Sequence, residues 1–258
     1  MTTFLMFHEL GEPGRAPADD QPGYLRYVVP ADVFARRLRW MVSQGLRGIS
    51  AGQWHSSPAA GTGQVVITFD DGCETDRLLA APLLADVGFS ATFYVVSGWL
   101  GHRRGFMTRQ QLRELHAAGF EIGSHSTTHA FLSDVSRDAL RLEIDGSKRE
   151  LEDIIGAPVR HMSCPGGRWN RTVAAMARDA GYETLPTSRL SPNDGATDAF
   201  ALGRCAVMQS TSDDAFESLC RATGWRRRRM QQQMVDGARW VLGNRVYGEL
   251  RRLALKHT

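Results

Sequence analysis

Residues 63–72 read GQVVITFDDG, an apolar, β-branched run that stops on two adjacent carboxylates and a glycine. The run has the composition of a buried strand, and Asp70-Asp71-Gly72 ends it. Neighbouring like charges repel, and neither is cheap to desolvate beside a core. A turn, a bound cation or a catalytic site would each account for the pair. Alone, Asp-Asp-Gly also reads as a solvated turn.

The same grammar repeats on both sides. TTFLMFHEL reads as a first strand ending at His8 and Glu9, followed by an amphipathic helix from Pro30 and Asp32 to Gly45. Beyond QVVITF come a helix over 75–87, the strand SATFYVV, a helix over 108–118 capped by Thr108, and the strand FEIGSHS. A longer helix is expected over 136–155, then a strand and tight loop in APVRHMSCPGG and a helix over 171–180. YETLPTS and ALGRCAVM read as short strands, and helical character resumes near Asp213. Strands alternating with glycine-stopped helices predict an α/β fold with parallel strands, open or closed into a barrel. His8, Asp70, Asp71, His125 and the CPGG loop all fall at strand ends, the edge that carries the site in such folds.

The chain has 258 residues, 42% hydrophobic and 23% charged, enough for one sizeable core. No run of about 18 uncharged apolar residues exists, which argues against a spanning helix. MTTFLMFHELGEPGR lacks a basic leader, and Cys73, Cys164, Cys205 and Cys220 show no Cys-x-x-Cys spacing. A cytoplasmic protein with reduced thiols is expected. Residues 225–258 hold nine Lys/Arg against two Asp/Glu, so within a total of +3 the other 224 residues sum to −4. Leu242, Val246, Leu250 and Leu253 recur at helical steps there. This tail reads either as a docked helix with a solvated basic face or as an interfacial helix giving peripheral contact with an anionic inner leaflet. No nucleic-acid-binding module is recognised, so no nucleic-acid partner is expected.

HSTTH, residues 125–129, places two histidines four apart, on one face of a helical turn. The pair alone is weakly specific. With a carboxylate nearby, two His and one Asp give a borderline-soft divalent ion three ligands and an open position, the pattern of a catalytic site.

TFDDG, then HSTTH, then a Pro-Gly loop together resemble the polysaccharide deacetylase (NodB-like) superfamily, carbohydrate esterase family 4, over roughly residues 2–208. The resemblance implies a distorted (β/α) barrel over 1–212, with 213–258 as a basic amphipathic helical C-terminal extension. It implies a divalent metal held by Asp71, His125 and His129, Zn2+ first among Zn2+, Co2+, Ni2+ and Fe2+, with Asp70 as general base. The Gly166 N–H is the implied oxyanion donor. Ser163 stands where the family commonly has an arginine that orients the base; Arg168 and Arg204 are the candidates to replace it, Arg168 preferred. The late histidine of the family is missing from GRCAVMQST, and LMFHEL makes His8 the expected general acid, against the reading of an ordinary strand-end histidine. Trp99, Phe106 and Trp169 are expected either to stack on sugars or to pack. The implied reaction removes an N-acetyl group from an N-acetylated saccharide, either a polysaccharide or a lipid-linked glycan precursor. Rival readings are a hydrolase of cyclic amides or ureides and a non-catalytic saccharide-binding relative.

Overall fold

The structure, a computed structural model, describes residues 1–58 and 63–225. In chain order the strands are β1 (Thr3–Phe7), β2 (Glu9–Gly11), β3 (Val28–Pro30), β4 (Arg47–Ile49), β5 (Gln64–Phe69), β6 (Thr92–Val95), β7 (Glu121–Ser124) and β8 (Cys205–Ala206). The helices are α1 (Pro22–Leu25), α2 (Ala31–Ser43), α3 (Ala51–Ser56), α4 (Ala81–Asp86), α5 (Arg109–Ala117), α6 (Arg137–Arg141), α7 (Ser147–Ile155), α8 (Arg171–Asp179) and α9 (Asp213–Cys220). π-Helical turns at Asp76–Ala80 and Leu142–Gly146 run directly into α4 and α7.

The GQVVITF run forms β5 at the centre of the sheet. Its neighbours run parallel in the order β7-β6-β5-β1-β8, and β4 pairs with the N-terminal half of β5. Every residue of β1 and all but the first of β5 are buried, as expected of strands covered on both faces. Single parallel bridges carry the pairing onward: Ser124 to Met162, His161 to Thr184, Pro186 to Leu202. Leu202 and Cys205 share one segment, and Leu5 pairs with Cys205, so the circuit returns to β1. The fold is thus the α/β, distorted barrel expected, regular on one side and reduced to bridges on the other. The strands expected at 157–163 and 182–188 shrink to these bridges; Pro158 and Pro186 have no N–H to give a ladder.

Phe7, Phe69 and Phe93 are in-register partners on β1, β5 and β6. Their rings stack at centroid spacings of 5.3 and 5.0 Å, and Phe34 of α2 meets Phe7 and Phe69 edge-on. Burying each such ring contributes about 1.5–3 kcal/mol. One residue further along the strands, on the opposite face, come His8, Asp70 and Tyr94. The aromatic file is the shelf beneath the site.

One expectation is corrected. The first strand does not run through to Glu9: it breaks at His8, where pairing passes from β1–β5 to β2–β3. α9 contacts β1 and falls within the first compact unit, Met1–Thr223. The second unit is Gly224–Thr258. The amphipathic, membrane-contacting tail expected over 225–258 lies outside the described residues, apart from Trp225. No described helix is long and apolar enough to cross a membrane. All four cysteines are buried, and none forms a disulfide.

Candidate active site and metal centre

Beyond Phe69 the chain turns sharply. Asp71 has φ 81° and Gly72 the same value, both left-handed. Aspartate tolerates that region better than most residues. Gly72 is required there, since a Cβ would sit 2.9 Å from Val95 Cγ1. The turn sends the adjacent carboxylates into different surroundings.

Asp70 meets a guanidinium. Arg204, 1% exposed, donates from Nη1 to Asp70 Oδ1 at 2.7 Å and from Nη2 to Oδ2 at 2.8 Å. Arg204 also donates to Ser163 Oγ (2.7 Å), Thr187 O (3.1 Å) and Thr68 Oγ1 (3.3 Å). Ser163, standing at the expected arginine position, thus accepts a hydrogen bond from the guanidinium that pairs with Asp70. Burial works against the Asp70 charge, but Arg204, then His125, hold its carboxyl below the usual range, and the carboxylate stays ionised at neutral pH. Arg168, the preferred candidate, is instead on the surface: Nη1 donates to Asp134 Oδ2 at 2.9 Å and the guanidinium lies 4.5 Å over Phe131.

Asp71 meets two imidazoles. His129 Nε2 is 3.3 Å and His125 Nε2 3.5 Å from Asp71 Oδ1, and one ligand atom from each residue lies within 4.8 Å of the others. His125 Nδ1–H donates to Ser163 O at 3.0 Å, which leaves the Nε2 lone pair facing the carboxylates. Burial holds the His125 pKa down at about 4, so the ring is neutral. Asp71 Oδ1 is buried and accepts no hydrogen bond. A buried orphan oxygen facing two imidazole nitrogens is the environment a divalent cation completes, and the N2O donor set fits one. Burial opposes the Asp71 charge, yet His129, His8 and His125 hold its carboxyl well below the ordinary range.

The two histidines do not share a helical turn. Residues 125–131 form a loop in which Ser126 and His129 hold φ of 67° and 64°. Sequence spacing found the pair; the backbone that unites it was not visible. Glu143, unremarked in the sequence, receives the Thr127 and Thr128 N–H groups at 2.9 Å each.

His8 lies close enough to Asp70 and Asp71 to lower both carboxyl pKa values. Its ring lies tilted against Tyr27 with centroids 4.4 Å apart, and its Nδ1 is buried without a partner. Gly166 sits in the turn Pro165–Gly167 with φ 59°; a Cβ there would lie 2.7 Å from the Phe131 ring. Cys164 is a buried neutral thiol, its pKa pushed up to about 12 by burial. Trp99 packs between Arg103 (4.2 Å) and His129 (5.1 Å), Phe106 is 5% exposed, and Trp169 Nε1 donates to Phe200 O. These three pack; Phe131, 45% exposed beside Gly166, is the open ring at the rim.

Residues 58–185 match the family model for polysaccharide deacetylase. The peptidoglycan-N-acetylglucosamine deacetylase of Bacillus cereus is 33% identical over 124 residues, 47% of this chain and 54% of its own length. The chitooligosaccharide deacetylase of Sinorhizobium fredii is 32% identical over 143 residues, 53% of this chain and 63% of its own. The chain therefore spans little more than half the length of the curated relatives it matches. Among solved structures, the deacetylase PplD of Streptococcus pyogenes in complex with acetate superposes with a TM-score of 0.75 at 22% identity. That match covers 84% of this chain and 97% of the other, and is a likeness of fold. TFDDG and HSTTH both lie inside the matched residues, and the segment 58–185 belongs to the polysaccharide deacetylase family.

Proposed function

We propose that this chain is a metal-dependent N-deacetylase of an N-acetylated saccharide, releasing acetate and leaving a free amine. The observation that carries the reading is the division of labour between neighbouring carboxylates: Asp71 faces two imidazoles while Asp70 faces one guanidinium. A divalent ion held by Asp71, His125 and His129 supplies Lewis acidity toward an acetamide carbonyl and lowers the pKa of water. Zinc is the first ion to test for this donor set. Asp70, ionised and fixed by Arg204, takes the proton of the attacking water. The Gly166 N–H is offered to the developing oxyanion. His8, supported on Tyr27, delivers a proton to the departing amine.

The relatives are named for N-acetylglucosamine in peptidoglycan and for chitooligosaccharides, which makes N-acetylglucosamine oligomers the first substrates to try. The test follows acetate release after chelation, after return of zinc, and in Asp70→Asn with metal content measured. Chelation is expected to silence the protein and zinc to restore it. Asp70→Asn is expected to keep its metal and lose about 10²–10⁴ in kcat. A metal-loaded Asp70→Asn variant working at close to the wild-type rate refutes the assignment.

A further inference from the structure

The loop bearing both histidines is held in a costly conformation. Left-handed φ at Ser126 and His129 is strained and persists only where the surroundings over-determine it. Much of the restraint at the middle of the loop comes from one side chain on the next helical segment. Glu143 Oε2 accepts the N–H groups of Thr127 and Thr128, both at 2.9 Å, and Oε1 accepts Thr128 Oγ1–H at 2.6 Å. These three bonds fall on the residues between the two imidazoles, and each is strengthened by the carboxylate charge.

Glu143 lies in the π-helical turn Leu142–Gly146, where an expected continuous helix over 136–155 takes a wider turn. Such turns re-aim side chains and concentrate at functional sites. A second tie runs through serines: Ser147 Oγ–H donates to the Glu143 carbonyl (2.8 Å) and lies 2.7 Å from Ser124 Oγ, which accepts from Ser126 N–H at 3.2 Å. The turn thus grips the loop both at its start and at its middle. Glu143 itself is 8% exposed and is not one of the three clustered ligands.

We infer that Glu143 is a positioning residue for the metal centre: its carboxylate fixes the His125–His129 loop so that both imidazoles converge on Asp71, and thereby sets metal affinity. The inference rests on the metal-site reading above. Glutamine at 143 offers one neutral carbonyl oxygen where two charged ones stood, so the N–H bonds weaken and the Thr128 hydroxyl must reorient.

The experiment measures zinc and cobalt dissociation constants by chelator competition on the full chain, the visible spectrum of the cobalt form, and the melting temperature without metal. Glu143→Gln is expected to weaken zinc binding about tenfold and Glu143→Ala about a hundredfold, the range for groups that support metal ligands from behind. The cobalt spectrum of Glu143→Gln is expected to change as the His129 ring loses its fixed angle. Thr128→Val, which keeps the carboxylate and loses one bond, is expected to weaken zinc binding only severalfold. A Glu143→Gln protein with wild-type affinity and wild-type cobalt spectrum overturns the inference, and so does a fall in melting temperature with affinity unchanged. Should Glu143→Ala fail to fold, Glu143→Gln decides. A wild-type chain that binds neither ion overturns the metal site itself, a result distinct from equal binding by wild type and variant.

Discussion

Replacing Arg204 with methionine keeps most of the volume and strips Asp70 of its counter-charge. Both residues are at most 2% exposed, and the two Nη–Oδ contacts are 2.7 and 2.8 Å. Breaking a buried pair from one side costs about 3–5 kcal/mol, because the remaining charge is left desolvated. In a domain this size each kcal/mol moves Tm by roughly 2–4 °C, so a fall of about 6–20 °C is expected near neutral pH. The pH dependence fixes the cause. The wild-type Asp70 carboxyl lies below its ordinary value, so its contribution is complete above an unfolded pKa of about 3.9 and is lost as pH falls through the lower folded value. Without Arg204, burial is opposed only by the weaker pull of His125 and His8, so the folded pKa rises and protonation costs the folded state less. The gap between variant and wild type should therefore narrow toward acid pH. The acid limb of kcat/KM should move to higher pH as the base becomes protonated. Arg204→Lys keeps a charge without the planar fork and should fall between. Thermal melts from about pH 4 to pH 8, with acetate release over the same span, read both effects. A folded Arg204→Met protein melting within about 2 °C of wild type, its acid limb unmoved, would show that the pair neither supports the fold nor tunes the base.

Two further outcomes follow from the geometry. His125 is neutral and buried with a pKa of about 4 against 6.5 when exposed, so the unfolded chain binds the extra proton between those values. Stability of the metal-free protein should fall by up to about 3 kcal/mol as pH drops from 6.5 to about 4, and His125→Gln should flatten that slope; an equal slope in both proteins contradicts the burial argument. Gly166→Ala places a Cβ 2.7 Å from the Phe131 ring at a left-handed backbone. A cost of about 1 kcal/mol or more is expected, with kcat lowered at least about tenfold and KM little changed, and steady-state kinetics showing an unaltered kcat would remove Gly166 from the oxyanion role.

The sequence shows the site's chemistry more openly than its supports. TFDDG and HSTTH are local: each sits within a few residues, and the strand that precedes it is a plain apolar run. Arg204 is 134 residues from Asp70, and what brings them together is the register of β8 on β1, which periodicity does not encode. Arg168 drew attention by adjacency to Gly166, yet the Pro165–Gly167 turn puts it outside, on Asp134. Glu143 reads as an ordinary helix position because nothing in a 3.6-residue pattern marks a π turn. The four-residue spacing of the histidines suggested a helix, whereas the left-handed residues that make the loop are a tertiary outcome. Strands of three residues such as β3 and β4 carry too little pattern to be seen.

The file of Phe7, Phe69 and Phe93 works as a ruler for the chemistry above it. Each phenylalanine is matched to its neighbour across the sheet, and the reactive position is the next residue along. Deleting a single residue from β5 would draw Asp70 back by about 3.3 Å and turn it toward α2. Lengthening a connection at the rim would leave that alignment untouched. Such a barrel can exchange its outer loops to suit new ligands, while the lengths of its inner strands are held by the register beneath the site.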